Sequence, residues 1–254
     1  TNGDFTIRAE VGASAIQIRT AGALAFSECD LGAITVEDPF GSWGGMAEEH
    51  DAVHLQTIRH AWKITDVRVL ESGPLRAAMW IKLEAGHSRL ELTMSCMHNR
   101  SAVDVAARVM WNERSARLKL VLACGDDAEF EVPGATARRA PDLGQVPGGK
   151  WVRITGRRGT VGFASDALYD FDAGGGEFRA TICRASRYAD DVKTPAEADP
   201  WRAAVDAGEL KFKFLIAAGD AALPILAREL EQPPTAILVP SHEGKLRRTG
   251  SLGE

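Results

Sequence analysis

Val103–Leu120 reads VDVAARVMWNERSARLKL, and its alternation decides the fold. Side chains of an extended chain point to opposite faces in turn, so Val103, Val105, Ala107 and Val109 share one face. Trp111-Asn112-Glu113 then supplies a turn, and Leu118-Lys119-Leu120 belongs to a new strand. Strand, turn and strand within eighteen residues, with no helical periodicity, point to an antiparallel all-β protein.

The same style extends in both directions. Upstream, Phe5–Val11 alternates with Phe5, Ile7, Ala9 and Val11 on one face, and Ala15–Arg19 follows Gly12. Trp62–Leu70 and Leu75–Glu84 are strands joined by Glu71-Ser72-Gly73-Pro74, where proline fixes φ and removes a donor. Ser88–Met97 pairs back across Ala85-Gly86-His87. Downstream, strands are expected at Arg117–Leu122, Glu129–Val132, Trp151–Ile154, Val161–Ser165, Glu177–Cys183 and Glu209–Ala217. Asp38–Gly45, Gln145–Lys150 and Asp172–Gly176 read as breaker-rich connections. One helix is expected, Ala221–Leu230, with Leu223, Leu226, Ala227 and Leu230 on its apolar face and Gln232-Pro233-Pro234 ending it. The expected architecture is therefore one large antiparallel β-sandwich over 1–254 with a single short helix near the C-terminus. Gly125-Asp126-Asp127 is a candidate internal seam, and 241–254 reads as a polar tail.

Composition bounds the function. The chain has 254 residues, 45% hydrophobic and 26% charged, ordinary for a protein with a real core. Its formal charge of −5 argues against nucleic acid as a partner, since phosphate neutralisation needs a basic face. The pairs Arg138-Arg139, Arg157-Arg158 and Arg247-Arg248 are too scattered to form one and read as solvated surface. No apolar run is long enough for a membrane helix. Cys29, Cys96, Cys124 and Cys183 are widely spaced, and the last three sit among apolar residues. They read as core thiols in a reducing, cytoplasmic setting rather than as a disulfide framework. The chain starts at Thr1 and stops in a polar stretch, so both ends are expected to be cut.

Several segments carry candidate chemistry. His50 and His54 stand four apart, with His60 beyond, but Asp51 stands where a zinc-protease signature needs glutamate. A charged surface loop is the reading adopted, and no metal ligand is assigned. Asp38, Glu113, Asp190 and Asp199 are carboxylates of the kind glycoside chemistry pairs, but no spacing pairs them, and no catalytic residue is assigned. Arg184–Arg202, RASRYADDVKTPAEADPWR, is a long polar stretch holding Arg184, Arg187, Tyr188, Asp190, Trp201 and Arg202. Aromatic rings stack on sugar faces while Arg and Asp bind hydroxyls, so these six are candidate carbohydrate contacts. Trp43, flanked by Ser42 and Gly44, is a candidate sugar platform. Trp111 and Trp151 lie in strand patterns and are expected in the core.

The motifs, taken in order, resemble the non-catalytic β-sandwich region of glycoside hydrolase family 38 α-mannosidases. VEDPFGSWGG (Val36–Gly45) looks like the family's aspartate-to-tryptophan loop, which adds Asp38 to the candidate substrate contacts. ESGPLRAAMWI (Glu71–Ile81), VDVAARVMWNE (Val103–Glu113), EVPGATARRA (Glu131–Ala140, taken as a loop) and KWVRITGRRGTVGFASDALYDFD (Lys150–Asp172) are similar to further family segments. So are FRATICRAS (Phe178–Ser186) and DAGELKFKFLI (Asp206–Ile216). The resemblance implies a supersandwich of the galactose-mutarotase-like kind and a mannoside as the carbohydrate. It implies a separate catalytic domain as partner, which would hold a divalent metal such as zinc; nothing here resembles that domain. Two other readings stay open, an autonomous carbohydrate-binding module and a mutarotase-type aldose epimerase using His87 or His98.

Overall fold

The computed structural model describes residues 5–20, 26–38, 57–141, 144–186, 203–219 and 221–238. Within them, the opening stretch forms two strands that belong to different sheets. β8 (Ala102–Trp111) turns its Val103, Val105, Ala107 and Val109 inward, and β9 (Ala116–Ala123) turns in Leu118, Leu120 and Leu122. These two inward rows belong to one hydrophobic core between two stacked antiparallel sheets.

The first sheet has eight strands. β1 (Phe5–Arg8), β2 (Ala15–Thr20), β3 (Glu28–Glu37), β9, β16 (Glu177–Arg184), β15 (Asp170–Gly174) and β12 (Val146–Pro147) lie side by side, and β4 (Ile58–Ala61) pairs with the C-terminal half of β3. The second has nine, in the order β11 (Ala135–Arg139), β10 (Asp127–Val132), β13 (Trp151–Gly156), β14 (Gly159–Ser165), β17 (Gly208–Ala218), β8, β7 (Ser88–Met97), β6 (Arg76–Ala85) and β5 (Lys63–Ser72). The chain changes sheet at Trp62, between β4 and β5. There the buried indole donates to Thr35 Oγ1 at 3.0 Å and the Trp62 N–H donates to the Ala33 carbonyl at 3.1 Å. Five phenylalanines tie the layers together. Phe171 and Phe178 from the first sheet stack at 5.4 Å, and Phe163 lies 5.6 Å from Phe178 and 5.8 Å from Phe214. Phe130 completes the cluster at 5.8 Å from Phe171.

The helix α1 (Leu223–Glu231) lies on the outer face of the nine-stranded sheet. Leu223 and Ala227 are buried against Ala102, Trp151, Ala164, Leu215 and Ala217. The close approach requires Gly162, since a Cβ there would stand 2.3 Å from Leu223 Cδ2. Trp111 and Trp151 are both buried, and all four cysteines are buried and free. None of the helices among the described residues is long and apolar enough to cross a membrane.

Four expectations are corrected. β1 ends at Arg8, so Val11 is exposed in the turn that follows rather than sharing the Phe5 face. Glu131–Ala140 is no loop: β10 and β11 form a hairpin turning at Gly134, and Arg139 rests over the Phe130 ring at 5.5 Å while donating to the Pro147 carbonyl. Asp172, Ala173 and Gly174 are strand, and only Gly175 and Gly176 make the positive-φ turn. β3, a central strand of its sheet, was not expected at all.

Candidate functional site

β3 and β16 both run antiparallel to β9, so both end where β9 begins. Inward-facing leucines of β9 leave Arg117 and Lys119 on the opposite, outer face of the sheet, where register sets Arg117 beside Val36 and Arg184. Asp38 follows β3 directly, fixed by its N–H donating to the Ser115 carbonyl at 2.9 Å. Its side chain is fully buried and receives two guanidinium groups. Arg117 Nε donates at 2.7 Å, and Arg184 donates through Nε to Oδ2 and through Nη2 to Oδ1 at 3.2 Å. Arg117 also donates to Gln145 Oε1 and lies 3.7 Å from Asp170. Burial would raise the Asp38 pKa, but the hydrogen bonds and charges of Arg184 and Arg117 outweigh it and hold the carboxyl below its ordinary value.

One row further along the same face, Lys119 Nζ donates to Asp172 Oδ1 at 3.0 Å, and neither side chain is exposed to solvent. Arg179 stands 3.8 Å from Asp172 and donates to Glu177 at 2.9 Å, while Asp172 Oδ2 is buried with no hydrogen-bond partner. Burial pushes Asp172 up and Lys119 down, as expected when two charges leave water together. Ile34, Val36 and Val121 form a small apolar cluster on this face.

The arrangement fastens strand ends. Asp38 directly follows β3, Arg184 is the last residue of β16, and Arg59 of β4 donates to the Arg114 and Ser115 carbonyls at 2.8 and 3.0 Å. A bidentate arginine–carboxylate pair fixes direction as well as distance. In sequence, the remaining candidates follow these two clamped residues, Trp43 after Asp38 and Arg187 to Arg202 after Arg184. Asp38 and Arg184, read independently as carbohydrate contacts, are brought into direct bonding. Trp43, Arg187, Tyr188, Asp190, Trp201 and Arg202 lie outside the described residues, as do His50, His54 and Asp199. Arg117, Lys119, Asp172 and Arg179 were missed. Their signal was present as charges two apart in RLKL, DFD and EFR, around residues that face the core.

Glu113 has a structural task. Its Oε1 accepts from the His87 N–H at 2.7 Å and from Ser88 Oγ at 3.0 Å, bracing the β6–β7 turn. Gly86 sits in that turn at φ +55, where a Cβ would meet Glu113 Oε1 at 2.5 Å. Gly86→Ala is expected to cost about 1–2 kcal/mol in urea unfolding from the left-handed backbone alone. His87 and His98 are exposed, and no group of three or more His, Cys, Asp or Glu among the described residues could hold a metal ion.

Residues 37–192 match the family model described as the glycosyl hydrolases family 38 C-terminal domain. The chain belongs to that family. The matched span of this family 38 domain includes Asp38, Arg117, Lys119, Asp172 and Arg184. Among solved structures, an alpha-mannosidase from Enterococcus faecalis V583 superposes with a TM-score of 0.71 at 13% identity, covering 97% of this chain and 32% of that one. A second Enterococcus faecalis structure, of a protein in glycosyl hydrolase family 38, gives 0.71 at 14% identity, covering 97% and 33%. At such identities the likeness is one of fold. The domain spans about a third of the length of these two chains. No curated protein matches it.

Proposed function

We propose that this family 38 domain is the non-catalytic β-sandwich of an α-mannosidase-like glycoside hydrolase. It braces a catalytic domain and contributes residues of Val36–Gly45 and Arg184–Arg202 to the binding of a mannoside. The observation that supports this reading is the bonding of Arg184 to Asp38, which joins a residue of each candidate stretch at one end of the eight-stranded sheet. Asp38, fully buried, acts as a positioning residue, while Arg184, still 22% exposed, is the group that can meet a hydroxyl. Trp43, Tyr188 and Trp201 would supply stacking faces, and Arg187, Asp190 and Arg202 hydrogen bonds. The metal and the two carboxylates of the hydrolytic step would belong to the catalytic partner.

The test is chemical. The domain alone, incubated with an aryl α-mannoside, is expected to release no more phenol than buffer does. Turnover by the domain itself, surviving repurification, would overturn the non-catalytic assignment.

A further inference from the structure

We propose that Cys29 and Cys124 are an oxidisable dithiol, a pair that a peroxide converts to a disulfide joining β3 to the end of β9. The register brings them together. Leu31 stands opposite Leu122 and Asp30 opposite Ala123, so the next pair along the ladder is Cys29 and Cys124. Side chains alternate along a strand, and both thiols turn into the core beside Leu31 and Leu122. Directly opposed residues of an antiparallel pair have Cα atoms about 4.5–5.5 Å apart. A disulfide spans about 4.4–6.8 Å between Cα atoms, so the register already meets that span. The two side chains are also in contact: a hydrogen bond with Cys124, ahead of burial, holds the Cys29 pKa above its ordinary value. Neither of the other cysteines has a thiol opposite, since Cys96 pairs with Ala77 and Val103 and Cys183 with Leu118.

The two thiols differ in access. Cys29 is fully buried, whereas Cys124 is 4% exposed and lines a surface cavity of about 580 Å³ with Gly125 and Gly156. β9 ends at Ala123, and Gly125, at φ +152, turns the chain away. Cys124 therefore lies where the β3–β9 ladder stops, and strand ends open more readily than strand centres. It is the thiol that a small peroxide meets. Its sulfur, as thiolate, attacks one peroxide oxygen and the O–O bond breaks. The other oxygen leaves as hydroxide, which takes up the thiol proton as water, and Cys124 becomes a sulfenic acid. The Cys29 sulfur then attacks the Cys124 sulfur, the S–O bond breaks, and a second water leaves with the Cys29 proton. Two electrons pass from the two thiols to the peroxide. The product ties together the end of the sheet opposite to Asp38.

The experiment is oxidation of the folded chain with hydrogen peroxide, alkylation of the remaining thiols, and mass mapping of the peptides without reduction. All four cysteines are free at the outset. The expected result is the loss of two thiols and one crosslink, between the peptides carrying Cys29 and Cys124, which dithiothreitol releases. Cys96→Ala/Cys183→Ala is expected to keep that crosslink. Cys124→Ala is expected to abolish it and to leave Cys29 alkylated. Exposed Met97 reports that the peroxide has acted, through its sulfoxide. Four thiols still alkylated once Met97 is oxidised, a sulfinic acid at Cys124 with no crosslink, or crosslinks that favour Cys96 or Cys183 would overturn the proposal. The native chain alone decides among these results, so a variant that fails to fold does not shelter it.

Discussion

Lys119→Met is expected to lower folding stability by about 3–5 kcal/mol at neutral pH. The substitution keeps the stem but leaves the Asp172 carboxylate in a site with no solvent exposure, its other cation, Arg179, 3.8 Å away. An ion buried without its partner loses its hydration and gains nothing in return. Asp172 already has a pKa raised by burial, so the variant can relieve the penalty by taking up a proton. The sign follows directly. The folded state then holds a proton that the unfolded chain, with an aspartate pKa near about 3.9, has released. The deficit of Lys119→Met is therefore largest at high pH and shrinks as pH falls through the folded pKa of Asp172. The double variant Lys119→Met/Asp172→Leu removes both charges and is expected to recover most of the loss, because a buried pair contributes little net stability over an apolar replacement. Urea denaturation of the two variants between acid and neutral pH checks this. A double variant as unstable as the single would mean that the pair does more than neutralise itself.

Asp38→Ala is expected to cost about 3 kcal/mol, toward the lower end for a broken buried pair because the Arg184 side chain is 22% exposed. Here the loss takes a shared carboxylate from two guanidinium groups at once, those of Arg117 and Arg184. The pH dependence has the opposite sign to that of Asp172. The folded pKa of Asp38 is lowered, despite its burial, by the hydrogen bonds and charges of the two arginines. Its stabilisation is thus fully present above the unfolded value of about 3.9 and is lost as pH falls through the folded pKa. Comparing the native chain with Asp38→Asn by thermal unfolding should show a gap that is constant at neutral pH and closes on acidification. A gap independent of pH down to the acid transition would contradict the ionised clamp.

Much of the sandwich was legible in local alternation. Ser88–Met97 matches β7 end for end, and the inward valines of β8 are those the pattern put on one face. β3 was hidden because, of its inward residues, only Leu31 is strongly hydrophobic; Cys29, Ala33 and Thr35 are weakly so, and Gly32 lies among them. Its place is set instead by pairing with β9, far along the chain. β15 was hidden for a related reason. Asp-Phe-Asp-Ala-Gly has turn composition, and Asp172 is tolerated in a buried strand only because Lys119, 53 residues away, meets its charge. The helix was expected two residues too early, at Ala221; Pro224 stands within its first turn, where a missing N–H costs nothing. In the candidate site, Asp38 and Arg184 stand in separate sequence segments. Their contact, across 146 residues, depends on β3 and β16 both flanking β9 and could not be seen without the sheet order.

The most direct test of the clamped end as the carbohydrate-facing end is an amide-shift titration of the chain with α-mannobiose, read at residues 36–38, 115–117 and 184–186. Saturating shifts at these positions, lost in Arg184→Gln while the rest of the spectrum stays native, are the expected result. A saturating sugar response that leaves these amides unmoved, or one that survives Arg184→Gln unchanged, would contradict it.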